Sequence, residues 1–138
     1  MTSPLKGQTV VVIGGSSGIG AEVARQAASR GAHVVLAGRR LSSTVDNGVR
    51  SEPVDVTDSA ALQRLFEAVG RFDHLVFPPG PAVQAKHLQD TDLQLAQDNF
   101  SVKLWGALRA IQQALPFLDE RGSIVLTSGQ LGRKLVPG

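Results

Sequence analysis

The sequence predicts an α/β protein built on a parallel β-sheet with helices on both faces. Three observations indicate this class. The stretch from Thr9 to Gly20 starts with a β-branched run, ends in a cluster of glycines and leads directly into a helical pattern. A strand, a helix and a second strand then fit into about thirty residues, the length of one βαβ unit. Strand-like and helix-like stretches continue to alternate along the rest of the chain.

The first strand is predicted at Val10 to Ile13, because consecutive β-branched residues are typical of a strand buried on both faces. Gly14, Gly18 and Gly20 follow it. Glycine allows a sharp turn and a close approach to a ligand, and the helix that follows offers free N–H groups to a pyrophosphate. A glycine-rich turn without a ligand fits the same pattern. A Walker loop does not, because Lys-Ser/Thr is missing after the last glycine.

The first helix is predicted to stop at Gly31, and His33 to Ala37 to form the second strand. Arg39 and Arg40 follow, at the turn that faces the adenosine ribose in a dinucleotide-binding fold. Guanidinium groups match phosphate geometry, so this pair favours NADP(H) over NAD(H). A solvated arginine pair at the surface is the alternative interpretation.

The middle of the chain predicts two more strands and one helix. Leu41 to Arg50 lacks an apolar stripe and is predicted as a loop with at most a turn or two. The elements predicted after it are a third strand at Pro53 to Val56, a helix capped by Thr57 or Asp58 and ended by Gly70, a fourth strand at Leu75 to Phe77, and a loop to about Asp90.

The longest helical pattern runs from about Thr91 to Leu118. Its apolar face is broad enough to predict burial on more than one side. Gly122 is predicted to stop this helix before a fifth strand at Ser123 to Thr127. Trp105 is interpreted as a packing residue rather than a cofactor stack. The apolar face comprises Phe100, Leu104, Ala107, Leu108, Ile111, Leu115 and Leu118.

Composition limits the function classes. The 138 residues are predicted to form a single domain, 1–138. The formal net charge is only +2 and the basic residues are scattered, so no nucleic-acid partner is expected. The lack of cysteine excludes disulfides and cysteine-ligated metal, and we expect no metal site. No apolar run reaches the roughly 20 residues of a membrane helix, and Met1 to Lys6 is no signal peptide, so a cytoplasmic protein without a membrane partner is expected.

With these elements in order, the sequence resembles the amino-terminal half of the short-chain dehydrogenase/reductase family over its whole length. The glycine cluster matches the family's TGxxxGIG fingerprint, with Ile13 in place of threonine. Arg39 falls at the basic position of NADP-preferring members, and Asp55-Val56 matches the pair that contacts the adenine. The resemblance implies cofactor contacts at Gly14, Ser16, Ser17, Gly18, Ile19, Gly20, Arg39, Arg40, Asp55, Val56, Pro79 and Gly80.

The resemblance also implies a Rossmann-like, doubly wound parallel sheet of about five strands in the order 3-2-1-4-5. This sheet is incomplete relative to the seven strands of the family fold. The family commonly forms subunit interfaces through the long helix, and the fifth strand would keep an unpaired edge. We therefore expect a homo-oligomer that associates through the helix and this edge.

The catalytic positions of the family are matched poorly. Its Asn-Asn-Ala-Gly is here Phe77 to Gly80, with only the glycine retained, and its active-site asparagine aligns with Lys103. Ser128 stands close to the position of the catalytic serine, although the strictest alignment places Gly129 there. The family's Tyr-x-x-x-Lys pair would follow about a dozen residues later, and the chain contains no tyrosine.

The resemblance thus implies an NADP(H)-dependent oxidoreductase that moves hydride between the cofactor and a carbonyl or alcohol, with a substrate that the sequence does not name. Ser128 and Lys103 are the candidate catalytic residues. We expect this chain to be a truncated form or fragment that binds the cofactor but does not catalyse the reaction alone, because a tyrosine–lysine pair is required as proton donor. The alternative is a non-enzymatic dinucleotide-binding or interaction module.

Overall fold

The computed structural model describes residues 4–14, 18–42, 44–78 and 86–128. A 3₁₀ turn at Leu88–Asp90 precedes the third helix, and another at Leu115–Phe117 follows the fourth. In chain order, the strands and helices are β1 (Thr9–Ile13), α1 (Gly18–Ser29), β2 (His33–Gly38), β3 (Thr44–Asp46), β4 (Val49–Pro53), α2 (Ser59–Val69), β5 (Phe72–Phe77), α3 (Leu93–Phe100), a π-helical turn (Ser101–Trp105), α4 (Gly106–Ala114) and β6 (Leu118–Leu126).

The strands form one six-stranded sheet in the order β3-β4-β2-β1-β5-β6. All neighbours are parallel except β3 and β4, which are antiparallel. The predicted α/β class and the order 3-2-1-4-5 are confirmed, with β4, β5 and β6 as the predicted third, fourth and fifth strands. The sheet has one strand more than we predicted.

The additional strand belongs to a β-hairpin in the segment predicted as a loop. Asn47 (φ 47°) and Gly48 (φ 80°) both have positive φ, as a two-residue type I′ turn requires. The loop prediction was wrong because the Asn-Gly signal was overlooked. The third strand was also predicted too late in the chain, because Val54 and Val56 are apolar for another reason: they are buried in the core after β4 has ended.

Both faces of β1 are buried, as predicted. Val11 and Ile13 belong to a cluster that α2 and α4 cover, whereas Val10 and Val12 belong to a second cluster beneath α1. Burial of each such side chain contributes about 1.5–3 kcal/mol relative to exposure. The sheet is therefore doubly wound, with helices on both faces.

Local chemistry sets the ends of α2 as predicted. The Asp58 carboxylate accepts hydrogen bonds from the N–H groups of Ala60 (3.0 Å) and Ala61 (3.1 Å). At the other end, Gly70 adopts φ 71° and donates its N–H to the Phe66 carbonyl at 2.8 Å. Both caps satisfy backbone groups that a helix end leaves without intrahelical partners.

The long helix is interrupted, contrary to the prediction of one continuous element. The π-helical turn separates α3 from α4, and α4 ends at Ala114, just before Pro116. Proline lacks the N–H that a continuing helix would need. The side of α4 that packs on the sheet consists of small residues, and the larger ones lie outside. The buried residues of α4 are Gly106, Ala107, Ala110 and Ala114.

Gly122 lies within β6 and does not stop the helix, so that prediction was wrong. A side chain at this position would collide with the backbone carbonyl of Asp73 and with Leu118. The glycine is thus required by the close approach of β6 to β5, near the irregularity in their pairing.

Two apolar surfaces are not covered by the described part of the chain. The outer side of α3, the π-helical turn and α4 exposes Phe100 (65%) and Trp105 (54%). Beside α1, a groove of about 700 Å³ runs over β5 and β6 and includes Val76 and Val125. The outer edge of β6 has no strand partner among the described residues. None of the described helices is long and apolar enough to cross a bilayer.

Candidate nucleotide-binding site

The candidate site lies at the carboxyl edge of the parallel sheet, where β1 and β5 are neighbours. The chain order reverses between these two strands, which makes this place the topological switch point of the sheet. Ligands of open α/β sheets bind in the crevice at such a point. Gly14 follows β1 and Arg39 follows β2, so these two predicted residues lie at the same edge of the sheet, where Pro78 follows β5.

The glycine turn has the backbone geometry that only glycine adopts easily. Gly14 has φ 90° and Gly18, the first residue of α1, has φ 64°. A Cβ on Gly14 would come to 3.9 Å from the Pro78 carbonyl oxygen, whereas one on Gly18 would meet no atom within 4 Å. The Gly14 N–H donates to the Ala37 carbonyl at 2.7 Å, which ties the turn to β2.

The start of α1 follows the glycine turn. Gly20 is buried, whereas Ile19 is 56% exposed. The first N–H groups of a helix have no intrahelical acceptors and attract anions. These features fit a bound phosphate, which needs a close backbone approach and free N–H groups. Ser16 and Ser17 lie outside the described residues.

Arg39 and Arg40 are exposed directly after β2. Asp55 follows β4, the strand that neighbours β2, so it lies at the same edge of the sheet as Arg39. The Thr57 backbone N–H donates to Asp55 Oδ1 at 2.9 Å, and the Thr57 hydroxyl donates to the same oxygen at 2.7 Å. These two hydrogen bonds, with a smaller contribution from the Arg39 charge, hold the pKa of Asp55 below its usual range.

Asp55 is therefore a carboxylate at neutral pH. Since its pKa is lower in the folded than in the unfolded protein, its stabilising contribution is present at neutral pH and is lost as the pH falls through the folded value. Thr57, which holds this carboxylate in place, was not predicted as a site residue. The Asp-x-Thr spacing of an Asx turn was the signal that could have revealed it.

Val56 differs from the other predicted site residues because its side chain lies in the core. Its side chain is only 8% exposed and belongs to the core beneath α2 and α4. Only the main chain of Val56 would therefore contact a ligand at the sheet edge.

Gly106, at the start of α4, packs against Val56 and was also not predicted as a site residue. An isolated glycine in a helical pattern is a signal of such a close approach.

The candidate catalytic residues do not form a connected group. Ser128 is exposed just after β6, and Lys103 is half-buried in the π-helical turn. The structure gives neither side chain a hydrogen bond within the described residues. Thr127, beside Ser128, donates its hydroxyl to the Phe77 carbonyl at 3.1 Å.

The rim of the site after β5 is apolar. Phe77 is buried in the core, and Pro78 is buried beside it. Neither residue offers the side-chain amides of the Asn-Asn pair that the resemblance places here. Pro79, Gly80 and Gly129 lie outside the described residues.

The fold, the glycine turn at its switch point and the charged residues around it define a doubly wound α/β protein of the dinucleotide-binding type. The chain belongs to the short-chain dehydrogenase family, whose model, described as "short chain dehydrogenase", matches residues 8–138.

The chain is also similar in sequence to a dehydrogenase and a reductase. The chain is 37% identical to an L-fucose dehydrogenase of Mus musculus, over 91% of this chain and 50% of that protein. It is 33% identical to the glycine betaine reductase ATRR of Emericella nidulans, over 98% of this chain but 12% of that protein. The chain therefore spans half or less of the length of these two relatives.

Solved structures show the same fold. A small-chain dehydrogenase in complex with NADPH is 36% identical, with a TM-score of 0.75 over 94% of this chain and 54% of the other. A short-chain dehydrogenase/reductase from Serratia marcescens is 27% identical, with a TM-score of 0.80 over 98% of this chain and 63% of the other.

Proposed function

We propose that this chain is the NADP(H)-binding part of an oxidoreductase that transfers hydride between the cofactor and a carbonyl or alcohol. The observation that carries the proposal is the position of the glycine turn, Arg39 and Asp55 at the carboxyl edge of the sheet, with the glycine turn at the switch point. The similar structure that was solved with NADPH supports the same cofactor. NADP(H), when bound, supplies the hydride chemistry.

Each part of the site has a role in holding the cofactor. The turn from Gly14 to Gly20 and the start of α1 would bind the pyrophosphate through backbone N–H groups. Arg39, with Arg40, would pair with the 2′-phosphate. The Asp55 carboxylate and the main chain of Val56 would contact the adenine. All these groups lie within a single domain, the unit in which we propose that the cofactor binds.

The first test concerns the cofactor preference. We expect NADPH to bind at least about tenfold more tightly than NADH, because a charge-assisted hydrogen bond contributes about 1.5–3 kcal/mol. Arg39→Ala should remove most of this preference while NADH binding stays the same. Isothermal titration calorimetry measures both affinities.

Arg121→Ala is the matched control, since it removes the same charge from an exposed residue of β6 at the opposite edge of the sheet. It should leave the preference unchanged. Equal affinities of the wild-type chain for NADPH and NADH would refute the assignment of Arg39.

The second test concerns the glycine turn. Gly18→Ala places a side chain at φ 64° and should weaken NADPH binding at least about tenfold, because the turn must change its backbone to relieve the strain. Gly7→Ala is the matched control, since Gly7 has φ 78°, also has open space around it, and lies before β1 at the other edge. Both variants should lose similar thermal stability, and only Gly18→Ala should lose affinity. Equal losses of affinity would contradict a phosphate site at this turn.

A non-enzymatic function remains the second candidate, and a specific observation favours it. The buried Phe77 and Pro78 occupy positions where the family has polar side chains, while the cofactor-binding residues are retained. Such a chain would bind the dinucleotide as a sensor or interaction module. We further propose that it self-associates through the exposed apolar side of the long helical segment and through the edge of β6 that has no strand partner among the described residues.

A further inference from the structure

Gly106 makes an unusually close contact for a helical residue. A Cβ at this position would lie 2.8 Å from Val56 Cγ2 and 3.2 Å from Val56 Cβ, and real Cβ atoms essentially never come closer than 3.0 Å to another heavy atom. The contact joins the start of α4 to the segment that follows β4. Any residue other than glycine would therefore have to move one of these two elements.

Backbone conformation does not explain the glycine. Gly106 has φ −62° and ψ −42°, values that every residue adopts in a helix, and alanine is a better helix former than glycine. Its N–H donates to the carbonyl of Ser101, five residues earlier, so it closes the π-helical turn. Such turns often occur at functional sites. The reason for a glycine must therefore lie in the contact with Val56.

Val56 cannot yield to this contact by rotating its side chain. β-Branched residues have few accessible rotamers, and the added atom would also press on Val56 Cβ, whose position no rotation changes. The backbone of the segment would have to shift.

That segment is a tight turn built around Asp55. The Thr57 N–H and hydroxyl donate to the Asp55 carboxylate, and the Asp58 N–H donates to the Asp55 carbonyl at 3.0 Å. Val56 lies inside this set of hydrogen bonds. A displacement of Val56 would therefore move the Asp55 carboxylate with it.

We infer that Gly106 is a positioning residue for the adenine end of the nucleotide site, because it lets α4 pack at the distance from Val56 that places the Asp55 turn. This inference rests on the proposed function. The glycine turn after β1 is not part of this contact, so the effect should be confined to the adenine side.

The test compares affinities in a double-mutant cycle. Gly106→Ala should weaken binding of NADPH and of 2′,5′-ADP about tenfold, a change equivalent to about 1.4 kcal/mol. Val56→Ala removes Cγ2, the atom of the closest contact, and leaves only the 3.2 Å contact with Cβ, so adding Gly106→Ala in that background should weaken both affinities much less than it does in the wild-type chain. Titration calorimetry gives the four affinities for each ligand, and circular dichroism verifies the folded fraction.

Gly122→Ala is the control for a purely structural effect. It also forces a side chain against neighbouring atoms, but at the Asp73 carbonyl near the amino-terminal edge of the sheet. It should lower the unfolding temperature and leave the affinity of the folded protein unchanged. An equal loss of affinity in this variant would overturn the inference.

The other outcomes are separable as well. A wild-type chain that binds neither NADPH nor 2′,5′-ADP refutes the proposed function itself. A wild-type chain that binds both, with an unchanged affinity in Gly106→Ala or an undiminished effect in the Val56→Ala background, refutes the role of Gly106 alone. If Gly106→Ala does not fold, Val56→Ile presses on the same contact from the other side, and unchanged 2′,5′-ADP binding in that variant overturns the inference.

Discussion

A polypeptide of these 138 residues is expected to bind NADPH. In the presence of ketones, aldehydes or quinones, NADPH should then be oxidised no faster than in buffer without the protein. General acid–base catalysis contributes about 10²–10⁴-fold to a rate, and the family uses a tyrosine with a neighbouring lysine for this step. The 138 residues include no tyrosine. The side chains of Ser128 and Lys103 have no hydrogen bond to each other or to another residue that the structure describes. Loss of NADPH absorbance measures the rate.

The assay needs two controls. Calorimetry on the same sample shows that the cofactor is bound, so that a negative result reports on chemistry rather than on misfolding. A second short-chain dehydrogenase, known to be active on these substrates, shows that the conditions support turnover. Activity well above background that disappears in Ser128→Ala or Lys103→Ala would contradict this prediction, because it would mean that these two residues form a working site.

The second large effect concerns self-association. We expect the chain to be a dimer or a larger species at micromolar concentration, because the outer side of the long helical segment exposes a continuous set of apolar residues. Exposed apolar surface of this kind marks interaction sites, and buried aromatic residues dominate binding energies in interfaces. The large exposed side chains are Phe100, Leu104, Trp105, Leu108 and Leu115.

Leu104→Glu and Leu108→Glu together should convert the assembly to monomers. Burial of an unpaired carboxylate is costly, so the two changes should raise the dissociation constant at least about a hundredfold. Light scattering during size-exclusion chromatography measures the mass. Val45→Glu is the control, since Val45 is 77% exposed but lies on β3 at the other end of the sheet. A monomeric wild-type chain, or an assembly that the two changes together leave intact, would show that this surface is not the interface.

The two predictions have separate measurements, although Lys103 and Leu104 are neighbours in the π-helical turn. The catalytic prediction depends on which side chains are present at the switch point. The association prediction depends on the outer side of the π-helical turn and α4, where Leu104 and Leu108 are about half exposed. A chain that dimerises without turnover would therefore satisfy both.

Elements that depend on neighbouring residues were predictable from the sequence. The strand β1, the glycine turn and the start of α1 form one continuous stretch, and each residue type there has a local physical reason. The same holds for the Asp58 cap and for Gly70, whose hydrogen bonds reach only a few residues along the chain. The meeting of Gly14, Arg39 and Asp55 at one edge was also predictable, because carboxyl ends of parallel strands share an edge.

By itself, then, the sequence determined the α/β class through its local patterns, and its resemblance to the family supplied the strand order of the parallel part of the sheet. The tertiary structure decided what depends on contacts between distant residues. It placed the small residues of α4 against the sheet and Gly106 against Val56. It also required glycine at position 122, beside the Asp73 carbonyl. Such contacts have no sequence period, because each arises only when two separate elements are packed together.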